Sequence, residues 1–457
     1  MKVEQIYTKC LAQGSYYIQD GKDAIIIDPL RDVDQYIDLA KENGAQIKYI
    51  FETHFHADFV GGHQELASKT GAEIVFGPLA NPLFSAIIAE DKETFTLGNS
   101  TLQVLHTPGH TLESSCFLLL DGEQNPQAIF TGDTLFLGDV GRPDLAQKGD
   151  MTSEDLAGLL YDSLRKSILP LPDSITVYPG HGAGSACGKN MMSETSDTLG
   201  NQKKMNYALD VNLSKADFVN QLIDGLPLPP GYFPDNVRLN KNGVDTLKIA
   251  HTIALEDFAW IRKNEEPLVL DVRSPEEFAE GHIPNSIFIG LDGGFAPWVG
   301  EILKDVKTSL LLITPAGREQ ETVTRLGRVG FDTIQGVLSG GFSAWKQAGF
   351  EISRVKSVDA MDFCANQEPK RVLDVRKPVE FDQMHIKFAE NFPLSNGFDG
   401  VSNDPSTPLY VHCAGGYRSM ISASLIQRNG LEVININGGM GQLKECPLPF
   451  VMEPSLV

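Results

Sequence analysis

Short apolar runs alternate with longer amphipathic stretches along the first half of the chain. The apolar runs have the length of strands and predict buried strands at residues 24–27, 47–51, 74–76, 102–105, 128–130 and 175–178. Two stretches with helical spacing of apolar positions predict helices at residues 33–43 and 153–167. Strands and helices mixed in this order predict a sandwich of sheets flanked by helices over residues 1–235.

A segment with four prolines, residues 226–234, interrupts this pattern and predicts an extended connector. After it the chain repeats itself. The sequence Val-Leu-Asp-Val-Arg occurs at residues 269–273 and again at 372–376, so that Asp374 follows Asp271 by 103 residues. A period near one hundred residues is that of a whole domain. The alternating apolar and helical runs predict two α/β domains with parallel sheets, at residues 246–351 and 354–457.

Histidines and aspartates follow four of the predicted strands of the first region. Because the loops at strand ends gather at one edge of a layered α/β fold, these side chains are expected to converge there. Histidine and carboxylate ligands without thiolate suit zinc, iron or manganese. The sequence therefore predicts a metal site. Its candidate residues are His54, His56, Asp58, His110, Asp133 and His181.

We predict that three of these residues bind one metal ion directly: His54, His110 and Asp133. Two histidines and one carboxylate with open coordination positions are typical of non-haem Fe(II) sites that react with oxygen. The expected cofactor is therefore one Fe(II) per chain, with Zn(II) as the alternative.

The other polar residues of these loops are given supporting roles. His56 is predicted to be a fourth ligand or a neighbour that hydrogen-bonds substrate or water, and Asp58 is predicted to orient a histidine. His181 is interpreted as a supporting or substrate-facing residue. His63 and His106 are interpreted as structural.

The stretch from His54 to Phe59 resembles the His-x-His-x-Asp-His loop of the metallo-β-lactamase superfamily, with Phe59 in place of the last histidine. A phenyl ring cannot bind a metal, so the second metal site of two-metal hydrolases loses a ligand. The segment Gly141-Arg142-Pro143-Asp144 resembles the Gly-Arg-x-Asp element of persulfide dioxygenases, which favour mononuclear iron. The resemblance implies that Arg142 shapes the substrate site and that Asp144 supports it.

One departure from the glutathione-dependent members of that family follows the last histidine. Their Asp-Tyr pair is absent, and residues 182–189 place Cys187 six positions after His181. We hypothesise that Cys187 carries or attacks a sulfane sulfur at the metal pocket. The alternative is a small buried thiol without a chemical role.

The repeated Asp-Val-Arg strand, the Pro-x-Glu-Phe that follows it and a closing Gly-Gly resemble the rhodanese domain. In the second repeat a strand at 409–412 leads into a predicted turn and then a helix at 420–428. Backbone N–H groups at the mouth of a helix favour a thiolate, and an arginine in the turn can hold an anion. The predicted turn comprises Cys413, Ala414, Gly415, Gly416, Tyr417, Arg418 and Ser419.

The spacing within this turn separates two kinds of enzyme. Four residues lie between Cys413 and Arg418, whereas tyrosine phosphatases have five, so sulfur transfer is favoured over phosphate chemistry. The first repeat has Thr314 roughly where the second has Cys413. We interpret the first repeat as an inactive spacer or dimerisation domain, and binding without catalysis at Thr314 or Arg318 stays open.

The whole chain resembles the fused persulfide dioxygenase–rhodanese proteins of bacterial sulfide detoxification. The resemblance implies a metallo-β-lactamase αββα sandwich followed by two rhodanese-like α/β domains, and a low-molecular-weight thiol persulfide, O2 and sulfite as reactants. The alternative is a zinc-dependent thioester hydrolase like glyoxalase II, with an appended sulfurtransferase or persulfide-carrier domain. A non-enzymatic persulfide shuttle that uses only Cys413 is a third possibility.

Composition excludes some other partners. A formal charge of −22 offers no basic surface for nucleic acid. No apolar run approaches the ~20 residues that a membrane-spanning helix needs. Six cysteines in 457 residues predict no disulfide framework, and hence a reducing, cytoplasmic setting. A homo-oligomer is plausible.

Overall fold

The computed structural model describes residues 1–145, 151–226, 228–366, 370–398, 401 and 407–452. The chain forms two compact units. The first comprises Met1–Lys248 with Leu326–Gly330, and the second comprises Ile249–Arg325 with Phe331–Val457. The elements of the first unit are β1 Lys2–Thr8, β2 Gln13–Asp20, β3 Asp23–Ile27, α1 Asp34–Glu42, β4 Gln46–Glu52, α2 His63–Thr70, β5 Glu73–Phe76, β6 Ile87–Ile88, β7 Thr94–Leu97, β8 Ser100–His106, β9 Ser115–Leu120, β10 Pro126–Gly132, α3 Ser153–Ser163, β11 Thr176–Pro179, β12 Asp197–Thr198, α4 Leu199–Met205, α5 Lys215–Ile223 and α6 Phe233–Asn242.

Two six-stranded sheets form the first unit, in the strand orders β1-β2-β3-β4-β5-β6 and β12-β11-β10-β9-β8-β7. Strand β3 shows how the layers of the first unit pack. Both faces of this strand are buried, and its successive side chains point to opposite faces. Ile25 and Ile27 pack between the sheets, in one cluster with Phe117 of β9. Ala24 and Ile26 point the other way and share a cluster with helix α1.

The second sheet carries its own layer of helices. Ile129 of β10 and Val177 of β11 pack in one cluster with Leu160 of α3 and Phe218 of α5. Helix, sheet, sheet and helix therefore follow one another through the first unit. The predicted sandwich is confirmed.

All six strands predicted in this region fall within or overlap observed strands, and both helices are present. Helix α3 begins where Thr152 caps it by accepting a hydrogen bond from Asp155 N, and it continues as a π-helical turn at Leu164–Ile168. The predicted connector is too long at its end, because α6 already begins at Phe233. Pro234 lies in the first turn of α6, where a helix needs no backbone N–H. Pro227 lies outside the described residues.

The second unit contains the two predicted repeats, which we call the first and second repeat. The first has β13 Thr252–Ile253, α7 Leu255–Asn264, β14 Leu268–Asp271, α8 Pro275–Glu280, β15 Ile287–Phe288, α9 Phe295–Leu303, β16 Leu310–Ile313, α10 Glu319–Gly327, β17 Ile334–Leu338 and α11 Gly341–Gln347. The end of α10, Leu326–Gly327, belongs to the first compact unit. The second repeat has β18 Lys356–Asp359, α12 Ala360–Ala365, β19 Arg371–Asp374, α13 Pro378–Gln383, β20 Met384–Ile386, β21 Ala389–Asn391, β22 Leu409–His412, α14 Tyr417–Arg428, β23 Ile434–Asn437, α15 Gly439–Leu443 and β24 Phe450–Met452.

The two repeats share one topology. Each has a parallel five-stranded sheet, in the orders β13-β17-β16-β14-β15 and β18-β23-β22-β19-β21. The repeated Asp-Val-Arg is an ion pair in both, with the Arg273 Nη2 to Asp271 Oδ2 distance at 2.6 Å and the same contact between Arg376 and Asp374. The predicted duplication is confirmed, whereas the boundaries 1–235, 246–351 and 354–457 stay predictions.

The cysteine expectation is wrong for one pair, because the structure joins Cys364 of α12 to Cys446 by a disulfide. The 82 residues between them hid the pair, since sequence spacing does not tell which segments the fold makes neighbours. The cysteine pattern therefore no longer argues for a reducing compartment. Among the described residues, no helix combines the length and the apolar character that crossing a bilayer requires.

Candidate functional sites

The strand ends of the sandwich bring the three predicted metal ligands together. His54 follows β4, His110 follows β8, and Asp133 follows β10. One potential ligand atom from each lies within 4.8 Å of the others, and each residue is only 2% exposed. The structure thus assembles a buried His-His-Asp cluster.

Hydrogen bonds orient both histidines of this cluster. The Thr53 hydroxyl donates to Asp28 Oδ2 at 2.9 Å, so its oxygen accepts from His54 Nδ1 at 3.0 Å. His110 Nδ1 donates to the Arg142 carbonyl oxygen at 2.7 Å. In both rings the Nε2 lone pair is left for a cation. Burial, and then His56 and the other histidines nearby, hold the pKa of His54 well below its usual range, which keeps that imidazole neutral.

The Asp133 carboxylate completes the fit for a divalent metal. Neither of its oxygens has a hydrogen-bond partner among the described residues, although Oδ2 lies 3.6 Å from His110 Nε2. A Cβ at Gly180 would lie 2.7 Å from Asp133 Oδ1, so only glycine leaves this oxygen room. A buried carboxylate without hydrogen bonds is costly unless a cation pairs with it. The residues present therefore fit a metal ion.

The supporting residues predicted from the sequence form a second cluster beside the first. His56, Asp58 and His181 also offer ligand atoms within 4.8 Å of one another. Asp58 Oδ2 lies 3.4 Å from His181 Nε2, and His181 Nε2 lies 3.6 Å from Asp133 Oδ1. Neither nitrogen of His181 has a hydrogen-bond partner among the described residues. This cluster has the chemistry of a second metal site that lacks one ligand.

His63 and His106 have the structural roles predicted for them. His63 Nδ1 lies 2.9 Å from Glu52 Oε1, and His106 Nε2 lies 2.9 Å from the Leu112 carbonyl oxygen. Each ring is thereby engaged by a protein acceptor.

Two buried carboxylates lie beside His56 and were not predicted from the sequence. His56 Nε2 lies 3.2 Å from Asp28 Oδ1 and 3.5 Å from Glu52 Oε2. Burial alone would lower the pKa of His56, but these carboxylates, Asp28 foremost, raise it well above the usual value. A signal for Asp28 existed, because it follows the apolar strand β3 in the same way as Asp133 follows β10.

Helix α6 holds the loop that carries His56, and this too was missed. Asn240 Nδ2 donates to the carbonyl oxygens of His56 at 2.8 Å and Phe59 at 2.7 Å. Its Oδ1 accepts from Gly61 N at 2.7 Å. No local signal in the sequence identifies Asn240, because it lies about 180 residues from the loop.

Arg142 lies inside the protein, close in the structure to the metal cluster. It is 2% exposed, and its Nε and Nη2 donate to the two carboxylate oxygens of Asp144 at 2.6 and 2.7 Å. The Arg142 backbone N–H donates to the Cys187 carbonyl oxygen at 3.0 Å. Cys187 is 1% exposed, and its sulfur lies within 4.8 Å of ligand atoms of Asp133 and His181. Burial, and then Asp58 and Asp133, raise the pKa of this thiol.

The second repeat builds a backbone cradle around Cys413. Its Sγ accepts a hydrogen bond from Gly416 N at 3.1 Å, and the residue is 1% exposed. The Met440 N–H donates to the Cys413 carbonyl oxygen at 2.7 Å, which ties the loop to the Gly-Gly segment. A Cβ at Gly439 would overlap that oxygen, which explains the glycine at this position.

The remaining residues of the predicted turn divide into two groups. Ala414 and Gly415 lie in the loop before the helix, where the Ala414 carbonyl oxygen accepts from Gly441 N at 2.9 Å. Helix α14 begins three residues earlier than predicted, at Tyr417, directly after Gly416 with its φ of 110°. The glycine reverses the chain, so that the helix starts at once. Ser419 is therefore helical, and its Oγ donates to the Gly416 carbonyl oxygen at 3.0 Å.

Arg418 is engaged by a carboxylate of its own repeat. Its Nη1 and Nη2 donate to the two oxygens of Glu380 at 2.6 and 2.8 Å. The hydrogen bonds from Arg418 lower the pKa of Glu380. The structure therefore shows Arg418 in an ion pair in the first turn of α14 and not in the turn that was predicted.

The first repeat keeps the frame of this site without the sulfur. Thr314 directly follows β16 as Cys413 follows β22, because Ile313 pairs with Asp271 as His412 pairs with Asp374. Arg318 is occupied within the first repeat, since it donates to Glu321 Oε2 and to Asp292 Oδ2, both at 2.7 Å.

Comparison with protein families covers most of the chain. Residues 9–181 match the model of the metallo-beta-lactamase superfamily, and residues 255–348 and 359–446 match the rhodanese-like domain. Hydroxyacylglutathione hydrolase GloC of Haemophilus influenzae is 30% identical over 215 residues, which are 42% of this chain and 96% of that protein. Hydroxyacylglutathione hydrolase of Nitrosococcus oceani is 33% identical over 188 residues, which are 40% of this chain and 66% of that protein.

A crystal structure extends the similarity beyond the sandwich. The metallo-beta-lactamase from Staphylococcus aureus superposes with a TM-score of 0.65 at 34% identity, over 74% of this chain and 98% of that one. By contrast, the chain spans only 57–66% of the length of the first four hydroxyacylglutathione hydrolases that it matches.

Proposed function

Because the chain belongs to the metallo-beta-lactamase superfamily and carries two rhodanese-like domains, we propose that it couples an iron persulfide dioxygenase to a sulfurtransferase. The observation that carries this proposal is the buried ring of Phe59, which stacks on His56 where a further metal ligand would be needed. Of the two neighbouring clusters, only the one formed by His54, His110 and Asp133 is then complete. This favours one metal ion per chain.

The first reaction is the oxidation of a persulfide by O2. One thiol persulfide, one O2 and one water give one thiol, one sulfite and two protons. The sulfur–sulfur bond breaks, and the persulfide loses four electrons in total, which reduce O2. A ferrous ion held by two histidines and one carboxylate supplies the change of valence that such a reaction needs and that zinc lacks.

The protein residues orient the histidine ligands and exclude water from the site. Thr53 and the Arg142 carbonyl oxygen hold the rings of His54 and His110 with their Nε2 atoms free. Arg142 and Cys187 are buried beside the cluster, which keeps water away from the metal-binding atoms. For Cys187 the role of a small buried thiol is favoured over sulfur uptake, because burial and two carboxylates raise its pKa and only a thiolate attacks a sulfane sulfur.

The second reaction takes place at Cys413. Its thiolate attacks the outer sulfur of a persulfide, the bond between the two persulfide sulfurs breaks, and the thiol leaves with the persulfide proton. Sulfite then attacks the outer sulfur on Cys413, which releases thiosulfate and restores the thiolate. The Gly416 nitrogen lies 3.1 Å from Sγ, so its N–H donates to the thiolate that attacks in the first step and leaves in the second.

A second candidate function is favoured by a different observation. The cluster of His56, Asp58 and His181 offers three ligand atoms to a second ion, and the curated relatives are hydroxyacylglutathione hydrolases. With two zinc ions the sandwich would hydrolyse a thioester, while the second repeat would act as a sulfurtransferase or persulfide carrier.

One experiment separates these functions. The protein is purified without added metal, and its iron and zinc contents are measured together with O2 uptake on glutathione persulfide and coenzyme A persulfide. The dioxygenase requires one iron per chain and O2 uptake with sulfite as product, both lost in His54→Ala and kept in His106→Ala. Two zinc ions per chain, with hydrolysis of a hydroxyacylglutathione and no O2 uptake, would overturn the proposal.

A further inference from the structure

The first repeat, which lacks the cysteine, holds a residue of the Cys413 loop. The Tyr417 hydroxyl donates to the Gly290 carbonyl oxygen of the first repeat at 2.6 Å. Its ring also meets Phe288 edge to face, with centroids 6.1 Å apart. Tyr417 is the residue directly after Gly416, whose N–H donates to Cys413 Sγ.

Glycines of the first repeat make room for this ring. A Cβ at Gly293 would lie 2.6 Å from Tyr417 Cε2 and 2.7 Å from Cζ, and a Cβ at Gly290 would lie 3.2 Å from Cε2. Neither glycine has a positive φ, so the backbone does not require them. At Gly293 all the nearest atoms belong to the tyrosine ring, whereas at Gly290 Phe288 Cζ at 2.9 Å and the Arg273 carbonyl oxygen at 3.1 Å are nearer than the ring. We call the segment 290–293 the socket.

Two arginines of the first repeat donate hydrogen bonds to residues of the socket. Arg325 Nη1 donates to the Leu291 carbonyl oxygen at 2.8 Å, and Arg318 Nη1 donates to Asp292 Oδ2 at 2.7 Å. Ile289 N also donates to the Asp271 carbonyl oxygen at 3.0 Å, which joins the socket to the central sheet. Arg325 therefore fixes the backbone of the socket, whereas the ion pair of Arg318 and Asp292 lies at the surface, where the Asp292 side chain is 80% exposed.

A second contact aligns helix α14 with the same segment. Ser424, which is 2% exposed, accepts a hydrogen bond from Phe288 N at 3.1 Å. The helix is therefore held at its first turn by Tyr417 and in its second half by Ser424. The contact of Tyr417 is with Gly290 in the socket, and the contact of Ser424 is with Phe288, shortly before the socket.

From these contacts we propose that the first repeat is a positioning element for sulfur transfer, in which the socket holds Tyr417 and thereby keeps Gly416 N–H on Cys413 Sγ. The proposal rests on the sulfurtransferase function proposed above for Cys413, and it assigns the first repeat a role other than a spacer. Tyr417 acts through Gly416 and is a positioning residue, not a catalytic one.

The test fills the socket by Gly293→Ala in the full-length protein. Sulfur transfer is measured with thiosulfate and cyanide: the Cys413 thiolate takes the outer sulfur of thiosulfate and releases sulfite, and cyanide then takes that sulfur as thiocyanate. We expect kcat to fall by about tenfold to a hundredfold, because small displacements of a reacting group have effects of this order. The KM for thiosulfate should change much less.

Two further variants separate the socket from a general loss of structure. Gly294→Ala is the matched control, because a Cβ there would lie 3.2 Å from Trp298 and not against Tyr417. Tyr417→Ala removes the ring, so adding Gly293→Ala to it should have almost no further effect on kcat. If Gly293→Ala lowers kcat equally with and without the Tyr417 ring, the socket does not act through Tyr417 and the proposal is overturned.

Amide hydrogen exchange tests the proposal without any activity. Peptides covering residues 413–420 should exchange faster in Gly293→Ala and remain unchanged in Gly294→Ala. If exchange behaves in this way but the unmodified protein transfers no sulfur, the function proposed for Cys413 fails and the socket stands. Unchanged exchange in Gly293→Ala would overturn the socket.

Discussion

The phenyl ring of Phe59 stacks on the imidazole of His56, with ring centroids 4.2 Å apart and planes inclined by 28°. Phe59 is fully buried, and its ring centroid lies 6.4 Å from that of His181. An aromatic ring without a donor atom thus lies beside the incomplete cluster of His56, Asp58 and His181. Phe59 itself offers no ligand atom to this cluster.

Phe59→His is therefore expected to add a second metal site. The new imidazole would supply the missing donor, so that the metal content should rise from one to two ions per chain when zinc is offered. O2 uptake should fall, because a second ion would occupy space that the persulfide needs in order to bind. Metal analysis after dialysis measures the first effect, and oxygen electrode measurements measure the second.

Phe55→His provides the control for that variant. Phe55 lies in the same loop, but its ring packs against Phe76 in the core at 4.9 Å. It should not change the number of bound ions. A metal content of one ion per chain in Phe59→His would contradict the role assigned to Phe59.

Asn240→Ala should loosen the metal loop. The change leaves three buried backbone groups without their partner, namely the carbonyl oxygens of His56 and Phe59 and the Gly61 N–H. Each such group costs about 1–3 kcal/mol, so the free energy of unfolding of the sandwich should fall by about 3 kcal/mol or more. Metal affinity should fall as well, which titration with a chelator measures.

The exposed Asn242 of the same helix is the matched control. Asn242→Ala removes the same side chain from the same element but from its outer face, and both stability and metal affinity should remain as in the unmodified protein. Equal losses in the two variants would mean that the helix, and not the Asn240 hydrogen bonds, supports the loop.

The ion pair of Glu380 and Arg418 predicts a dependence of stability on pH. The pKa of Glu380 is lower in the folded protein, because Arg418 donates hydrogen bonds to it. Its stabilising contribution is therefore complete above the usual pKa of a glutamate and is lost as the pH falls through the lowered value. Thermal unfolding between pH 7 and pH 3 should show Glu380→Gln less stable at neutral pH and equal to the unmodified protein at acidic pH.

Solvent exposure of the two side chains limits how much the ion pair stabilises the folded protein. The side chain of Glu380 is 33% exposed and that of Arg418 is 17% exposed, so solvent screens the pair in part. A difference in melting temperature that persists unchanged to pH 3 would show that the ion pair is not its cause.

Cys413→Ser should separate the two proposed activities. A hydroxyl at this position carries no sulfane sulfur, so thiosulfate formation should cease while O2 uptake with a persulfide continues. Cys116→Ser, which changes a buried free cysteine of the sandwich, should leave thiosulfate formation intact. Loss of O2 uptake in Cys413→Ser would instead favour a protein whose only chemistry is that of a persulfide carrier.

Much of this architecture was available from sequence because its signals are local. The run Ile25-Ile26-Ile27 is apolar on both faces of a strand, and it is buried between a sheet and helices as expected. The candidate ligands His54, His110 and Asp133 each lie in the loop that follows a strand, so the order of strands and loops was enough to predict that they come together. The recurrence of Val-Leu-Asp-Val-Arg likewise identified two equivalent domains.

The missed residues have their partners far away in the chain. Asn240 acts on a loop about 180 residues earlier, and Cys364 bonds to a cysteine 82 residues later. Arg418 was named from the sequence, but its carboxylate partner Glu380, 38 residues before it, was not. No periodic pattern or spacing specifies such pairs, because they depend on how separate elements pack.

By itself the sequence determined the candidate residues for chemistry in this protein and the elements on which they stand, since periodicity and strand-end position act over a few neighbouring residues. Only the tertiary structure decided how those residues are engaged. Phe59 meets His56, Glu380 takes Arg418, and the first repeat receives Tyr417, because packing brings together segments that the chain keeps far apart.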